Sequence, residues 1–247
     1  MSENIQGKVV VITGGSGGIG RSTARHLASH GAKIAVAGQN FDRMRTVVGE
    51  IVEAGGAAKA FSVDVTKRAE VESMVAGCLA EFGRVDVLVS NAGVMAIAPM
   101  SEGRTDEWDR MIDINIKGVL YGIAAVMPVF LKQASGPFIN IASAAGIKVF
   151  SPGGTVYSGT KFAVRAISEG LRHEVGGSIR TTIISPGAID TDLKRGSSHA
   201  ESIKAVNAFY EQAIPPDSVA RAIAYAIQQP ADVDINEIVL RPTVQEF

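Results

Sequence analysis

The chain reads as an α/β protein built on a doubly wound parallel sheet of about seven strands, with helices on both faces. Three observations lead there. Short β-branched runs alternate with longer helical patterns from end to end. The runs lack a polar face, as strands covered on both sides do. The first of them passes straight into a glycine-rich turn and then a helix, the order in which a nucleotide-binding unit begins.

In chain order, residues 8–13 form the first strand and 19–30 the helix after it. Residues 33–37 and 57–63 are the second and third strands, separated by a helix over 41–54. A third helix spans 66–82, where Ala69, Val71, Val75, Leu79 and Phe82 recur at helical spacing. Residues 85–90 are the fourth strand. Two helices follow, over 105–112 and 115–132, then a strand at 137–141, a helix over 155–175 and a strand at 179–184. A helix over 216–228 and a strand at 235–240 close the chain. With no linker, repeat or low-complexity tract, the expectation is one dinucleotide-binding and catalytic domain over 1–247. The polar, glycine-bearing stretch 190–202 follows a strand end, where open α/β sheets bind ligands. It reads either as a lid reaching to about residue 212 or as an ordinary solvated loop.

Composition narrows the function classes. A formal net charge of -1 gives nucleic acid or an anionic membrane no basic surface to meet. Hydrophobic residues at 46% and charged ones at 20% describe a globular core. The single cysteine, Cys78, rules out an internal disulfide and a cysteine zinc site, and fits a reducing cytoplasm. It reads as a small buried hydrophobe. Of the four histidines only His26 and His30 share helical spacing, so no metal site is expected. Residues 1–7 lack the apolar core of a signal peptide, and no apolar run reaches the ~20 residues of a membrane span. A cytoplasmic location is the expectation.

The turn after the first strand is Thr13-Gly14-Gly15-Ser16-Gly17-Gly18-Ile19-Gly20. Glycines there let backbone approach a pyrophosphate, which rests on the helix N-terminus. Two registers fit, Gly15-x-Gly17-x-x-Gly20 and Gly14-x-x-x-Gly18-x-Gly20, and the preceding Thr13 favours the second. The acid that would hold an adenosine ribose 2′-hydroxyl is missing: the second strand ends on Gly38, Gln39 and Asn40. Asp42 reads as a helix cap, while Arg43 or Arg45 either reaches a 2′-phosphate or faces solvent. NADP is the expected cofactor, with NAD as the alternative.

Later, Tyr157 and Lys161 stand four apart in a helical segment, hence one turn apart on one face. An ammonium beside a phenol favours phenolate, so Lys161 is expected to pull the Tyr157 pKa down towards neutrality. Such a tyrosine can exchange a proton with an alcohol or a carbonyl.

Taken together, these motifs resemble the short-chain dehydrogenases/reductases. Thr13-Gly14-x-x-x-Gly18-Ile19-Gly20, Ser90-Asn91-Ala92-Gly93, Asn115, Ser143, Tyr157-x-x-x-Lys161 and Pro186-Gly187-x-x-x-Thr191 occur in that family's order, over the whole chain. The resemblance implies a Rossmann-type fold and an NAD(P)-dependent oxidoreductase interconverting a ketone or aldehyde and an alcohol. It implies that Gly14, Ser16, Gly18, Ile19 and Gly20 line the pyrophosphate, with Gln39 and Asn40 at the ribose. Asp64 and Val65 would meet adenine, and Asn91, Ala92 and Gly93 would pass beside adenosine. Pro186, Gly187, Ile189 and Thr191 would surround the nicotinamide carboxamide. Ser143 would hydrogen-bond the substrate oxygen, Tyr157 would transfer the proton, Lys161 would hold the nicotinamide ribose, and Asn115 would keep a water in a proton relay. Family members usually form tetramers through the helices that correspond to 114–132 and 155–175. A homotetramer is therefore expected, with a homodimer as the alternative.

Two features depart from the family pattern. Ser143 and Tyr157 are fourteen residues apart where thirteen is usual, the extra residue falling in 150–154, which also offers Ser151 as a rival donor. The Gly38-Gln39-Asn40 ribose site is the other. Val94, Met95, Val149, Phe150, Leu193 and Phe209 give the expected pocket an apolar mouth, and a small hydrophobic ketone is the expected substrate. Trp108, Met111 and Ile112 read as helix core, and Lys194 and Arg195 as lid surface. The competing functions are a catalytically silent NAD(P)-binding sensor or scaffold and an epimerase or dehydratase of the longer sugar-nucleotide branch. The intact Asn115, Ser143, Tyr157 and Lys161 set argues against the first, and the short C-terminus against the second.

Overall fold

The computed structural model describes residues 4–246, so part of the stretch 1–7, read above for a signal peptide, lies outside the described residues. Seven parallel strands form one sheet in the order β3-β2-β1-β4-β5-β6-β7. They are β1 (Val9–Thr13), β2 (Lys33–Gly38), β3 (Ala57–Ser62), β4 (Val87–Ser90), β5 (Gly136–Ile141), β6 (Ile179–Pro186) and β7 (Glu237–Leu240). The order reverses between β1 and β4. Their carboxyl ends therefore splay into a crevice.

Alternation along each strand decides what covers the sheet. Ile12 and Ile34 point to one face, where they meet Leu27 of α1 (Gly18–Ser29), Met44 of α2 (Phe41–Glu53) and Ile223 of α8 (Asp217–Gln228). Their neighbours Val11 and Ala35 point to the other face. There they join Cys78 of α3 (Arg68–Phe82), Phe130 of α5 (Gly118–Gln133) and Leu171 of α6 (Thr155–Glu174). The sheet is thus wound on both sides. Burial pushes the Cys78 thiol up to about 12, so it packs as a hydrophobe.

Several elements depart from the sequence expectation. Helix α4 (Thr105–Ile112) does not end before α5. A π-helical turn, Asp113–Lys117, joins the two into one helix of 29 residues. That helix is long and apolar enough to cross a membrane by length and composition, yet only 28% of its most apolar window is buried. Its other face is open. Ile112 shares that exposure, at 39%, so it is not core, whereas Met111 is buried. Beyond β6 the chain is less irregular than expected: a 3-10 turn, Asp192–Arg195, leads into α7 (Ala200–Phe209) and a second turn, Tyr210–Gln212. The α2 cap is Asn40, whose side chain accepts from the Arg43 N–H at 3.0 Å, and Asp42 sits in the first turn instead.

Candidate active site

The crevice is built from four strand ends. At β1, Gly14 and Gly18 take left-handed conformations, with φ of 63° and 49°. Gly20 packs so closely that a Cβ there would lie 2.3 Å from the Gly14 carbonyl oxygen. The Asn91 side chain braces this turn, donating to the Thr13 and Gly14 carbonyls at 2.8 and 3.2 Å. In return the Asn91 and Ala92 N–H groups donate to the Thr13 hydroxyl, which stitches β1 to β4 at the reversal point. Helix α1 starts from Gly17 with no side-chain cap and no acid in its first turn. Its open N–H groups and positive end therefore face the cleft.

Ser143 follows β5 in extended backbone. Its hydroxyl accepts from the Ala145 N–H at 3.1 Å and donates to the Pro186 carbonyl at 3.4 Å. Tyr157 and Lys161 come one turn apart on α6, both almost fully buried. The Lys161 Nζ donates to the Ile141 carbonyl at 3.0 Å and lies 5.9 Å from the Tyr157 ring centroid. This corrects the expected electrostatics. Burial raises the Tyr157 phenol to about 12, opposed by a hydrogen bond with Ser143, and Lys161 does not lower it. Burial acts on Lys161 in the opposite sense, bringing the ammonium down to about 8.

Asn115 lies in the π turn and is itself buried. Its Oδ1 accepts from the Val94 N–H and its Nδ2 donates to the Val94 carbonyl, both at 2.9 Å, and Nδ2 also donates to the Thr160 hydroxyl at 3.0 Å. The side chain therefore clamps the chain leaving β4 and is already committed. At β6, the Gly187 N–H donates to the Leu240 carbonyl at 2.8 Å, and the Ala188 N–H to Oε1 of Gln245 at 2.9 Å. Thr191 reaches across to the glycine turn: a Cβ on Gly18 would come within 2.9 Å of its methyl.

The cleft has a volume of about 490 Å³, within the range of small-molecule sites. Gly14, Ser16, Gly18, Ile19, Asn91, Ala92 and Gly93 line one half. Ser143, Tyr157, Lys161, Pro186, Gly187, Ile189 and Thr191 line the other. Gly20 and Asn115 are buried behind its wall; the residues expected at ribose and adenine do not line it either, Gln39 and Asn40 being exposed at the surface. Asn40 is used as a cap, while Gln39 and Thr66 bond the Asp64 carboxylate. Burial works to raise that carboxyl, but those bonds and the Lys67 charge outweigh it and hold it below the usual range. Val65 packs against Gly118. Arg43 does line the cleft, paired with Asp192 at 3.4 Å, and Arg45 does not.

The extra residue between Ser143 and Tyr157 is taken up at the surface. Ser151 is exposed, and the Phe150 N–H donates to the Ser158 hydroxyl at 2.9 Å, anchoring the loop to α6. Of the two serines, Ser143 is the one hydrogen-bonded to Tyr157.

Residues 8–202 match the short chain dehydrogenase family model. The chain belongs to the short-chain dehydrogenases. An uncharacterized oxidoreductase of Staphylococcus saprophyticus is 47% identical over 247 residues, covering 99% of both chains. Among solved structures, the alcohol dehydrogenase of the archaeon Thermococcus sibiricus, complexed with 5-hydroxy-NADP, is 29% identical with a TM-score of 0.86, covering 97% of this chain and 98% of its own. A short-chain dehydrogenase/reductase of Burkholderia phymatum, complexed with NAD, is 25% identical with a TM-score of 0.89, covering 96% of this chain and 89% of its own. The chain is thus an oxidoreductase of a family whose members bind NADP or NAD.

The cleft of this short-chain dehydrogenase suits a dinucleotide on its own evidence. A Cβ at Gly17 would meet nothing within 4 Å, so the uncapped α1 terminus is open to a pyrophosphate. Lys161 has three donor protons and spends one on Ile141, leaving two for a ribose. Tyr210 and Gln245 are among the lining residues that escaped the sequence reading. Gln245 comes from the far C-terminus, with no local signal, and Tyr210 sits beside Phe209, whose apolar character alone drew notice.

Proposed function

We propose that this short-chain dehydrogenase is a carbonyl reductase, interconverting a small hydrophobic ketone or aldehyde and its alcohol. The observation that carries this reading is the convergence of Ser143, Tyr157 and Lys161 on the cleft that the uncapped α1 terminus also faces. When bound, the nicotinamide supplies the hydride. Ser143 donates to the substrate oxygen, where negative charge develops. Tyr157, protonated across the neutral range by its burial, delivers the proton to that oxygen. Lys161 holds the nicotinamide ribose. The sensor or scaffold reading has no observation in its favour.

NADP is the proposed cofactor, NAD the alternative. Arg43 is a cation in the cleft, and the end of β2, Gly38-Gln39-Asn40, carries no acid of its own to hold a ribose 2′-hydroxyl. Its pairing with Asp192 is exposed on both sides and exchanges readily for a phosphate. Residues 190–212 are proposed as a substrate lid. The uncovered apolar side of α5 and α6, with Leu120, Leu131 and Phe162 exposed, supports a homotetramer, and a homodimer is the alternative. Buried, reduced Cys78 fits a cytoplasmic setting.

Tyr157→Phe tests the chemistry. Ketone reduction should fall by at least ~100-fold while NADPH binding, followed by nucleotide fluorescence, is retained. Turnover within ~10-fold of the parent would remove Tyr157 as proton donor.

A further inference from the structure

The chain leaving α7 turns Tyr210 into the cleft. Its ring packs against Phe209, with centroids 5.7 Å apart, and in the apolar cluster that holds Tyr157, Met95 and Val206. A tyrosine hydroxyl withdrawn from water ordinarily finds a nitrogen or oxygen partner. Among the described residues, the Tyr210 hydroxyl has only the Met95 sulfur, at 3.9 Å. Thioether sulfur is a weak acceptor. The phenol is held above the usual tyrosine range first by burial and then by its neighbour Tyr157, so it is a donor at any working pH.

Two tyrosine hydroxyls therefore serve one cavity. Tyr157 is matched to the reacting oxygen through Ser143, and Tyr210, partly buried on the same cleft, has among the described residues only a sulfur to receive its proton. The surrounding walls, Val94, Ala145, Phe150, Leu193 and Phe209, are apolar and supply no acceptor from their side chains. The missing acceptor is then the substrate's own.

We propose that Tyr210 is a specificity-determining residue that donates to a second substrate oxygen, selecting carbonyl compounds with a further oxygen acceptor near the reacting carbonyl, such as diketones and keto esters. The proposal rests on the carbonyl reductase reading and refines it. An apolar ketone without that second oxygen leaves the Tyr210 proton unpaired, which is the costly half of a hydrogen-bond mismatch.

The test compares a vicinal diketone with the monoketone in which a methylene replaces the second carbonyl, on the parent enzyme and on Tyr210→Phe. Intrinsic reactivity differs between the two ketones but cancels in the ratio of the variant's effects. The loss in kcat/KM should be ~10-fold greater on the diketone and should appear mainly in KM. Met95→Leu, which removes the sulfur and keeps the phenol, should retain the preference. Equal losses on both ketones, or none, would overturn the role of Tyr210. Calorimetric binding of the diketone to the proteins loaded with the oxidised nucleotide NADP+, which has no hydride to give, provides the same comparison without turnover. Parent enzyme that binds no nicotinamide nucleotide and reduces neither ketone would sink the reductase reading itself. A diketone bound equally by parent and variant would sink only Tyr210.

Discussion

Asn115 grips Val94 by both ends of its amide: the Val94 N–H donates to Oδ1 and the Val94 carbonyl accepts from Nδ2, each at 2.9 Å. The π turn Asp113–Lys117 makes this possible, because an extra residue in one turn swings Asn115 out of helical register towards the β4 end. The third bond, to Thr160, ties the same amide to α6 between Tyr157 and Lys161. One buried side chain thus holds three walls of the cleft together.

Asn115→Leu should be destabilising and not merely inactive. It strands the Val94 N–H and C=O away from water, at a cost of about 2 kcal/mol. Thermal melting of the variant should drop by about 4–8 °C in a chain of this size. An unchanged melting temperature would show that Asn115 has no clamping role.

Lys161→Met should raise the melting temperature of the nucleotide-free protein while abolishing turnover, since active sites store instability. The sign follows from burial, which holds the Lys161 ammonium at about 8 against 10.5 in the unfolded chain. Between those values the unfolded state binds more protons, so stability rises with pH. The penalty is complete below about 8 and gone above 10.5, and the gain from Lys161→Met should shrink over that window. Melting curves at neutral and alkaline pH measure it; a gain that grows with pH would refute it.

Ser143→Ala should push the Tyr157 phenol higher still, because the Ser143 hydrogen bond is what opposes the rise caused by burial. Phenolate absorbance in an alkaline titration, taken as the difference from Tyr157→Phe, reports the shift. Activity should fall ~100-fold or more with the loss of the oxygen-binding donor. Ser151→Ala, altering an exposed loop, should stay within ~2-fold. Comparable losses in both would mean that the fourteen-residue spacing had been misread.

The glycine turn allows a sharper separation. Gly20→Ala forces a Cβ to 2.3 Å from the Gly14 carbonyl and should cost stability and nucleotide binding together. Gly17→Ala meets no protein atom within 4 Å and takes extended backbone, so its melting temperature should hold. Its methyl enters the space before the α1 terminus, and the nucleotide Kd should rise by ~10-fold. Identical behaviour of the two variants would argue against a pyrophosphate at Gly17.

The sequence by itself determined the sheet and its winding, and it marked the motifs that meet at the strand ends. Alternation along Val10-Val11-Ile12 and helical spacing on α1 and α6 are local properties, and they hold in any context that buries them. The motifs were legible for the same reason: Gly14 to Gly20 and Tyr157 to Lys161 each act within a turn or two of chain. Tertiary structure decided the rest. Whether Lys161 lowers the Tyr157 pKa depends on burial and on where the ammonium points, and the carbonyl of Ile141, twenty residues away, settles that. The Asn115 clamp needs a π turn, which an unbroken run of helix-forming residues does not announce. Gln245 and Tyr210 enter the cleft because the C-terminal chain folds back over β6 and the β4 loop. Such contacts are set by the packing of distant segments, and no spacing within either segment encodes them.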